Sequence, residues 1–232
     1  MKPSLLGRII DFLFPRSCVA CGKRLSVGED LLCGPCNFHL ARTNLVKDPY
    51  SNFMAQLFWK LLPVERCAAL FYYKDGGLQN NIVHGLKYHS RPDYGVKMGK
   101  TAATEFVPYG FFDGVDVIVP VPIARNRERK RGYNQSVMIA RGVSAATGIP
   151  VCEDAFVRDE FVSSQTSLNL VGRWNNVKGT FHLIKPDAIA GKHVLIVDDV
   201  CTTGATLRAL GEEAVKAGGV RISFMTLAVV KH

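Results

Sequence analysis

The segment Val194–Thr206, "VLIVDDVCTTGAT", is the most informative part of the sequence about the fold. Its apolar start is typical of a buried strand in a parallel sheet. Two adjacent acids, Asp198 and Asp199, end the apolar run, and a helix is predicted from Gly204 to Ala217. Ligands of open α/β sheets bind beyond the carboxyl ends of the strands. The two acids and the loop after them are therefore the first candidate for a binding site.

The loop after the acids has the features of a phosphate site. A helix N-terminus offers free N–H groups and the positive end of the helix dipole, and Gly204 lets the backbone approach closely. Hydroxyls of Thr202, Thr203 and Thr206 lie beside it. A Walker loop is excluded because no lysine follows the glycine. Neighbouring carboxylates make sense if the ligand also carries hydroxyls, as ribose 5-phosphate does. The alternative is a capped turn that binds nothing.

The rest of the chain alternates between strand and helix patterns. Strands are predicted for "CAALFYY", "VDVIVPV", "HVLIVDD" and "VRISFMTLAVV", with short candidates in "AFVRD" and "GTFHL". Helices are predicted over 78–89, 94–106 and 134–147. This order predicts an α/β fold, with a mostly parallel sheet and helices on both faces.

The chain is basic, with 29 Lys+Arg against 20 Asp+Glu in 232 residues and a net charge of +9. An excess of this size favours a polyanionic partner or a phosphorylated ligand. The length allows one ordinary domain plus a small appendage. Its apolar stretches are shorter than the ~18–20 residues of a membrane span. Leu5–Phe14 has helical spacing, which predicts a short helix that packs on the body or, alternatively, on a membrane or partner.

Four of the seven cysteines form two C-x2-C pairs: Cys18, Cys21, Cys33 and Cys36. This spacing predicts a closed four-thiolate zinc site with a structural role. A disulfide or a redox motif is the alternative. Without a signal peptide pattern we expect a reducing, cytoplasmic location, which favours metal over disulfide.

A basic run, "RNRERKRGYNQS", follows the predicted strand "VIVPVP". It is a candidate loop for phosphate and a candidate track for single-stranded nucleic acid, with Tyr133 as a stacking platform. The alternative is a run of charged residues on the solvent-exposed surface that binds no ligand. The nucleic-acid candidates are Arg125, Arg127, Arg129, Lys130, Arg131 and Tyr133.

The strand-end motif resembles the phosphoribosyl pyrophosphate (PRPP) motif of type I phosphoribosyltransferases. The resemblance implies that Asp198 and Asp199 hold the ribose hydroxyls and that PRPP arrives with Mg²⁺. The residues expected around the 5′-phosphate are Val200, Cys201, Thr202, Thr203, Gly204, Ala205 and Thr206. Those expected near the pyrophosphate are Val121, Pro122, Ile123, Arg125 and Arg131.

Nearly the whole chain resembles the ComF family of bacterial competence proteins. The resemblance is carried by the cysteine pairs, "GLKY" at Gly85–Tyr88, "PVP", "RGYNQ", "RWNNVKGTF" at Arg173–Phe181 and "IVDDVCTTGAT". Pro49, Pro63 and the polar run "RTNLVKDPYSN" break the periodicity, which predicts a connector over 49–66. It separates a helix and zinc module expected over residues 1–48 from a phosphoribosyltransferase-like domain expected over 67–232. Many relatives have a second cysteine knuckle, but Pro49–Pro63 contains no cysteine. We therefore expect a single zinc ion.

Three functions follow from this resemblance. The first is a PRPP-binding protein of DNA uptake that handles single-stranded DNA and contacts a protein of the uptake machinery. The second is an active salvage-type phosphoribosyltransferase, and the third is a PRPP sensor without turnover. No residue stands out as a general base for an acceptor. All three fail if Asp198 and Asp199 are buried in ion pairs or if the threonine loop is folded shut.

Overall fold

The computed structural model describes residues 16–88, 91–159 and 179–231. The predicted helix over Leu5–Phe14 and most of Arg173–Phe181 lie outside these ranges. No helix in the described part of the chain is long and apolar enough to cross a membrane.

The described residues contain a four-stranded parallel sheet. The order of its strands is β1-β6-β5-β2, so the strand that ends in the two acids, β5, lies inside the sheet. β3 and β4 form a separate antiparallel pair. The strands are β1 (Val64–Tyr72), β2 (Val117–Pro120), β3 (Phe156–Arg158), β4 (Phe181–Leu183), β5 (His193–Cys201) and β6 (Arg221–Val229).

The described residues contain the four predicted helices and three further ones, two before β1 and one in the basic run. They are α1 (Gly34–Phe38), α2 (Phe53–Gln56), α3 (Leu78–Tyr88), α4 (Pro92–Phe106), α5 (Arg125–Arg131), α6 (Gln135–Thr147) and α7 (Ala205–Ala214). The side chain of Asn134 caps α6 by accepting a hydrogen bond from the Ser136 N–H, and Gly148 ends that helix in the left-handed conformation.

Alternating side chains of β5 pack on two different helix layers. Leu195 and Val197 belong to the core shared with α3, α4 and α6. Val194 and Ile196 belong to the core shared with α7 and the β3–β4 pair. All four are fully buried. The predicted α/β class, with a parallel sheet and helices on both faces, is confirmed.

Glycines bring α4 and α6 into backbone contact behind the sheet. A Cβ atom added at Gly99 would lie 2.1 Å from the carbonyl oxygen of Ile139. One added at Gly142 would lie 2.1 Å from the carbonyl oxygen of Val96. Only glycine permits this approach from either side.

The segment predicted as a connector, 49–66, is packed into the domain. It contains α2, which Asn52 caps through hydrogen bonds from the N–H groups of Met54 and Ala55. Met54 and Phe58 are fully buried against the sheet, and β1 already begins at Val64. The polar run and prolines that suggested a linker form the caps and turns of a core element.

Candidate functional site

The two acids lie at the carboxyl end of β5 and are largely buried. Asp198 is 7% exposed and Asp199 6% exposed. The strand continues to Cys201, and a short turn leads to Gly204, whose φ of +77° starts α7. The predicted sequence of strand, acids, loop and helix is the one observed.

Asp198 is held by hydrogen bonds on one carboxylate oxygen. The hydroxyl of Ser136 and the backbone N–H of Asp199 both donate to Oδ1, each at 2.9 Å. Burial and the neighbouring charge of Asp199 raise the pKa of Asp198 to about 7. Near neutral pH this carboxyl group therefore changes its charge.

Asp199 forms an ion pair with a lysine of α3. Lys87 Nζ lies 2.9 Å from Asp199 Oδ2, although the angles fall outside hydrogen-bond geometry. Both acids are thus buried and one is ion-paired, which meets part of the condition for rejecting the ribose interpretation. The condition is not met in full, because hydrogen bonds hold Asp198 and both carboxylates line an open cavity.

That cavity has a volume of about 330 Å³ and is lined by groups of both charges. From β5 and the loop after it, the lining includes Asp198, Asp199, Val200, Thr202 and Thr206. Basic side chains on the other parts of the lining are Lys87, Arg127, Arg131 and Arg158. Val121 and Ile123, which follow β2, also line the cavity. An anion that also carries hydroxyl groups fits this distribution of charge.

The basic run is a helix, α5, rather than the predicted loop. Helical spacing places Arg127 and Arg131, four residues apart, on one face, and only this face lines the cavity. Arg131 donates a hydrogen bond to Gln135 Oε1 at 2.9 Å. Arg129 and Lys130 are exposed on α5. The loop prediction was wrong because it counted charge and ignored periodicity.

Arg125 and Pro122, both predicted near the pyrophosphate, line a different cavity. It has a volume of about 260 Å³ and includes the acids Glu128, Glu153 and Asp154. Of the predicted pyrophosphate residues, the structure brings only Val121, Ile123 and Arg131 to the cavity of the acidic pair.

Tyr133 is not presented for stacking. Its hydroxyl donates a hydrogen bond to the carbonyl oxygen of Leu86 at 2.7 Å, and its ring is half-buried. The residue ties the segment after α5 to α3. A second predicted residue, Cys201, is buried in the core behind the loop.

The four N-terminal cysteines form one cluster. Their Sγ atoms all lie within 4.8 Å of one another, and those of Cys21 and Cys33 are 3.7 Å apart. Four thiolates at ~2.3 Å from a tetrahedral zinc ion are roughly 3.8 Å apart, so the donor set fits that ion. Burial raises the pKa of Cys18, but backbone N–H groups outweigh it and lower this pKa to about 7. This thiol is therefore easily converted to the thiolate that binds metal.

Comparison with known proteins finds similar sequences over most of the chain. The model of the phosphoribosyl transferase domain matches residues 129–232. DNA utilization protein YhgH of Escherichia coli K12 is 25% identical over 92% of this chain and 96% of its own length. Competence protein F of Haemophilus influenzae is 32% identical over 49% of this chain and 50% of its own. Together these matches support assignment of the chain to the ComF family.

The type I phosphoribosyltransferase fold agrees with the sheet of this protein and with the matched domain. A glutamine PRPP amidotransferase from Bacillus subtilis superposes with a TM-score of 0.40 at 22% identity, over 61% of this chain and 30% of that one. The family assignment rests on the sequences rather than on this superposition.

Sequence reasoning missed three polar residues that lie around the acids. Ser136 and Lys87 contact the two carboxylates directly. Arg158, at the end of β3, lines the cavity. Burial lowers its pKa, as does the charge of Arg127, while Asp198 opposes that effect. A charged residue closing the short apolar strand "AFVRD" was the available signal for Arg158.

Proposed function

We propose that this ComF-family protein binds PRPP, together with Mg²⁺, in the cavity of the acidic pair and acts in the cytoplasm in the uptake or use of DNA. One observation carries the proposal. The two acids, Thr202 and Thr206 line one open cavity together with three arginines, Arg127, Arg131 and Arg158. The names of the relatives, a DNA utilization protein and a competence protein, support the process.

Each part of the cavity suits one part of PRPP. The carboxylates of Asp198 and Asp199 would accept hydrogen bonds from the ribose 2′- and 3′-hydroxyls. The loop over Val200–Thr206 and the start of α7 would bind the 5′-phosphate through N–H groups. Arg127 and Arg131 would neutralise the pyrophosphate. Mg²⁺, which prefers oxygen ligands, supplies further charge neutralisation when it arrives with PRPP.

The cysteine cluster is assigned to a structural zinc ion. Four thiolates leave no open position for a substrate. Cys18, Cys33 and Cys36 are buried, and Cys21 is exposed. A module of this size has little apolar core of its own, so bound metal would stabilise it.

Calorimetric titration with PRPP and Mg²⁺ tests the proposal. The double variant Asp198→Asn, Asp199→Asn should lose binding by at least about a hundredfold, because an amide cannot replace a charged acceptor for the diol. Its fold should remain intact. Asp187→Asn, which changes an exposed acid away from the cavity, is the matched control. Equal dissociation constants for wild type and the double variant would refute the ribose assignment.

Single-stranded DNA is a second ligand favoured by α5. Arg125, Arg129 and Lys130 are exposed on that helix next to the cavity. In filter binding across a salt series, affinity should fall steeply as salt rises, and Arg129→Ala with Lys130→Ala should reduce the slope by about two. Lys100→Ala, an exposed lysine of α4, should leave the slope unchanged. Absence of binding at low salt would remove the DNA part of the proposal.

Transfer and sensing are separated by one assay. Incubation with PRPP, Mg²⁺ and a panel of bases, glutamine or ammonia measures pyrophosphate release. Release with one acceptor establishes a transferase. Thermal stabilisation by PRPP without release across the panel identifies a sensor.

A further inference from the structure

The cysteine module packs directly on α3. Val19 lies between the first two cysteines, and a Cβ atom added at Gly85 of α3 would be 2.6 Å from Val19 Cγ2. Nδ2 of Asn81, one turn earlier, donates a hydrogen bond to the carbonyl oxygen of Ala20 at 2.8 Å. The loop that carries Cys18 and Cys21 therefore contacts α3 at two points one turn apart.

The same helix reaches the acidic pair two residues later. Lys87 Nζ lies 2.9 Å from Asp199 Oδ2, and 25% of the lysine side chain is exposed. Lys87 also lines the cavity. An ammonium group has three donors, so its contact with Asp199 leaves donors for an oxygen atom of a ligand.

We propose that Lys87 is a ligand-binding residue of the ribose-phosphate site and that the cysteine module holds it in place through the contact between Val19 and Gly85. The inference rests on the proposed function and deepens it. It makes the affinity of the cavity depend on metal bound to the cysteines.

The charges in the cavity predict whether Lys87 strengthens or weakens the binding of an anionic ligand. A phosphorylated ligand brings several negative charges into a cavity that already holds two carboxylates. Lys87 offsets one of them at ion-pair distance, and the cavity beside it remains open. Lys87 therefore assists an anion rather than blocking it. If Lys87 instead blocked the cavity by pairing with Asp199, its replacement would strengthen ligand binding.

The first experiment is calorimetry of Lys87→Met with ribose 5-phosphate and, separately, PRPP with Mg²⁺. Methionine keeps the aliphatic stem and removes the charge. We expect binding to weaken at least about tenfold, with a smaller loss for Lys87→Arg and none for the control Lys100→Met. Thermal melts establish that each variant is folded.

The outcomes separate this inference from the proposed function. If the wild-type protein binds neither probe, the proposed function is refuted and the inference falls with it. If the wild type binds and Lys87→Met binds equally well or more tightly, the inference alone is refuted.

The second experiment tests the contact with the module. Gly85→Ala places a methyl group against Val19 and should weaken binding of ribose 5-phosphate while zinc content stays unchanged. Val19→Ala combined with Gly85→Ala makes room for that methyl group and should restore affinity. A double variant as weak as Gly85→Ala would overturn the positioning role.

The third experiment removes the metal by chelation and dialysis, with ribose 5-phosphate as the probe because it needs no Mg²⁺. Affinity of the wild type should fall by a factor similar to that of Lys87→Met. In the Lys87→Met background, metal removal should change little. Equal losses in both backgrounds would show that the module does not act through Lys87.

Discussion

The cysteine cluster and the end of β5 obtain their shapes in different ways. The cluster is a short loop-rich segment whose four Sγ atoms converge within 4.8 Å. The end of β5 belongs to a parallel sheet with buried side chains on both faces. On the proposed function, the cluster depends on a bound metal ion for its stability. The end of β5 has its shape beforehand, and can therefore carry two buried acids that lower its stability.

The largest effect should come from breaking the first region. Cys33→Ser removes a buried thiol of the cluster, and because metal binding supplies folding free energy to such modules, the protein should lose the proposed zinc ion and a large part of its thermal stability. Mass spectrometry and thermal melts measure both. Cys152→Ser, at a half-buried cysteine outside the cluster, is the control. Full metal content in Cys33→Ser would contradict the zinc assignment.

An opposite change of stability should follow from Asp198→Asn in the second region. The pKa of Asp198 is raised to about 7 by burial and by Asp199. The folded state therefore binds this proton more tightly than the unfolded chain, and the resulting stabilisation is lost as pH rises towards 7. Asparagine keeps an oxygen that can accept the hydrogen bonds of Ser136 and the Asp199 N–H.

The variant should consequently be more stable than wild type at pH 8, and its advantage should be smaller at pH 5. The difference between the two pH values is roughly 2 kcal/mol, at about 2–4 °C in Tm for each kcal/mol in a chain of this size. Differential scanning calorimetry at both pH values measures it. A stability difference that is the same at both pH values would show that the pKa of Asp198 is not raised in the folded protein.

The smallest effect concerns the two faces of α5. Arg127→Ala removes a cation from the cavity wall and should weaken PRPP binding by about tenfold, a typical loss for one charged contact. Arg129→Ala, on the exposed face, should change it by less than twofold. Calorimetry on the pair decides the matter. Equal losses would mean that the helix acts through its total charge.

The parts that could be predicted from sequence are local. The succession from β5 through Asp198 and Asp199 to α7 is encoded in thirteen consecutive residues, and the Asn134 cap and Gly148 end of α6 lie in the helix that they bound. The cysteine cluster also follows from spacing alone.

The residues that escaped prediction reach the acids from distant parts of the chain. Lys87 lies in α3 with no local pattern that marks it, and Arg158 in β3 is marked only as a charged residue that closes a short apolar strand. Only the packing of the helices and of the β3–β4 pair on the sheet brings them to the cavity. The face of α5 that lines the cavity was missed for a related reason, because a count of charges does not show which side chains share one side of a helix.

The backbone contact between α4 and α6 affects the acidic pair through the position of α6. Gly99 and Gly142 set how near α6 comes to its neighbour, and α6 carries the Ser136 hydroxyl that contacts Asp198. A methyl group at either glycine would lift the helix and pull that hydroxyl away. In a saturation mutagenesis screen, these two positions should score as intolerant as the acids themselves, although no ligand atom touches them.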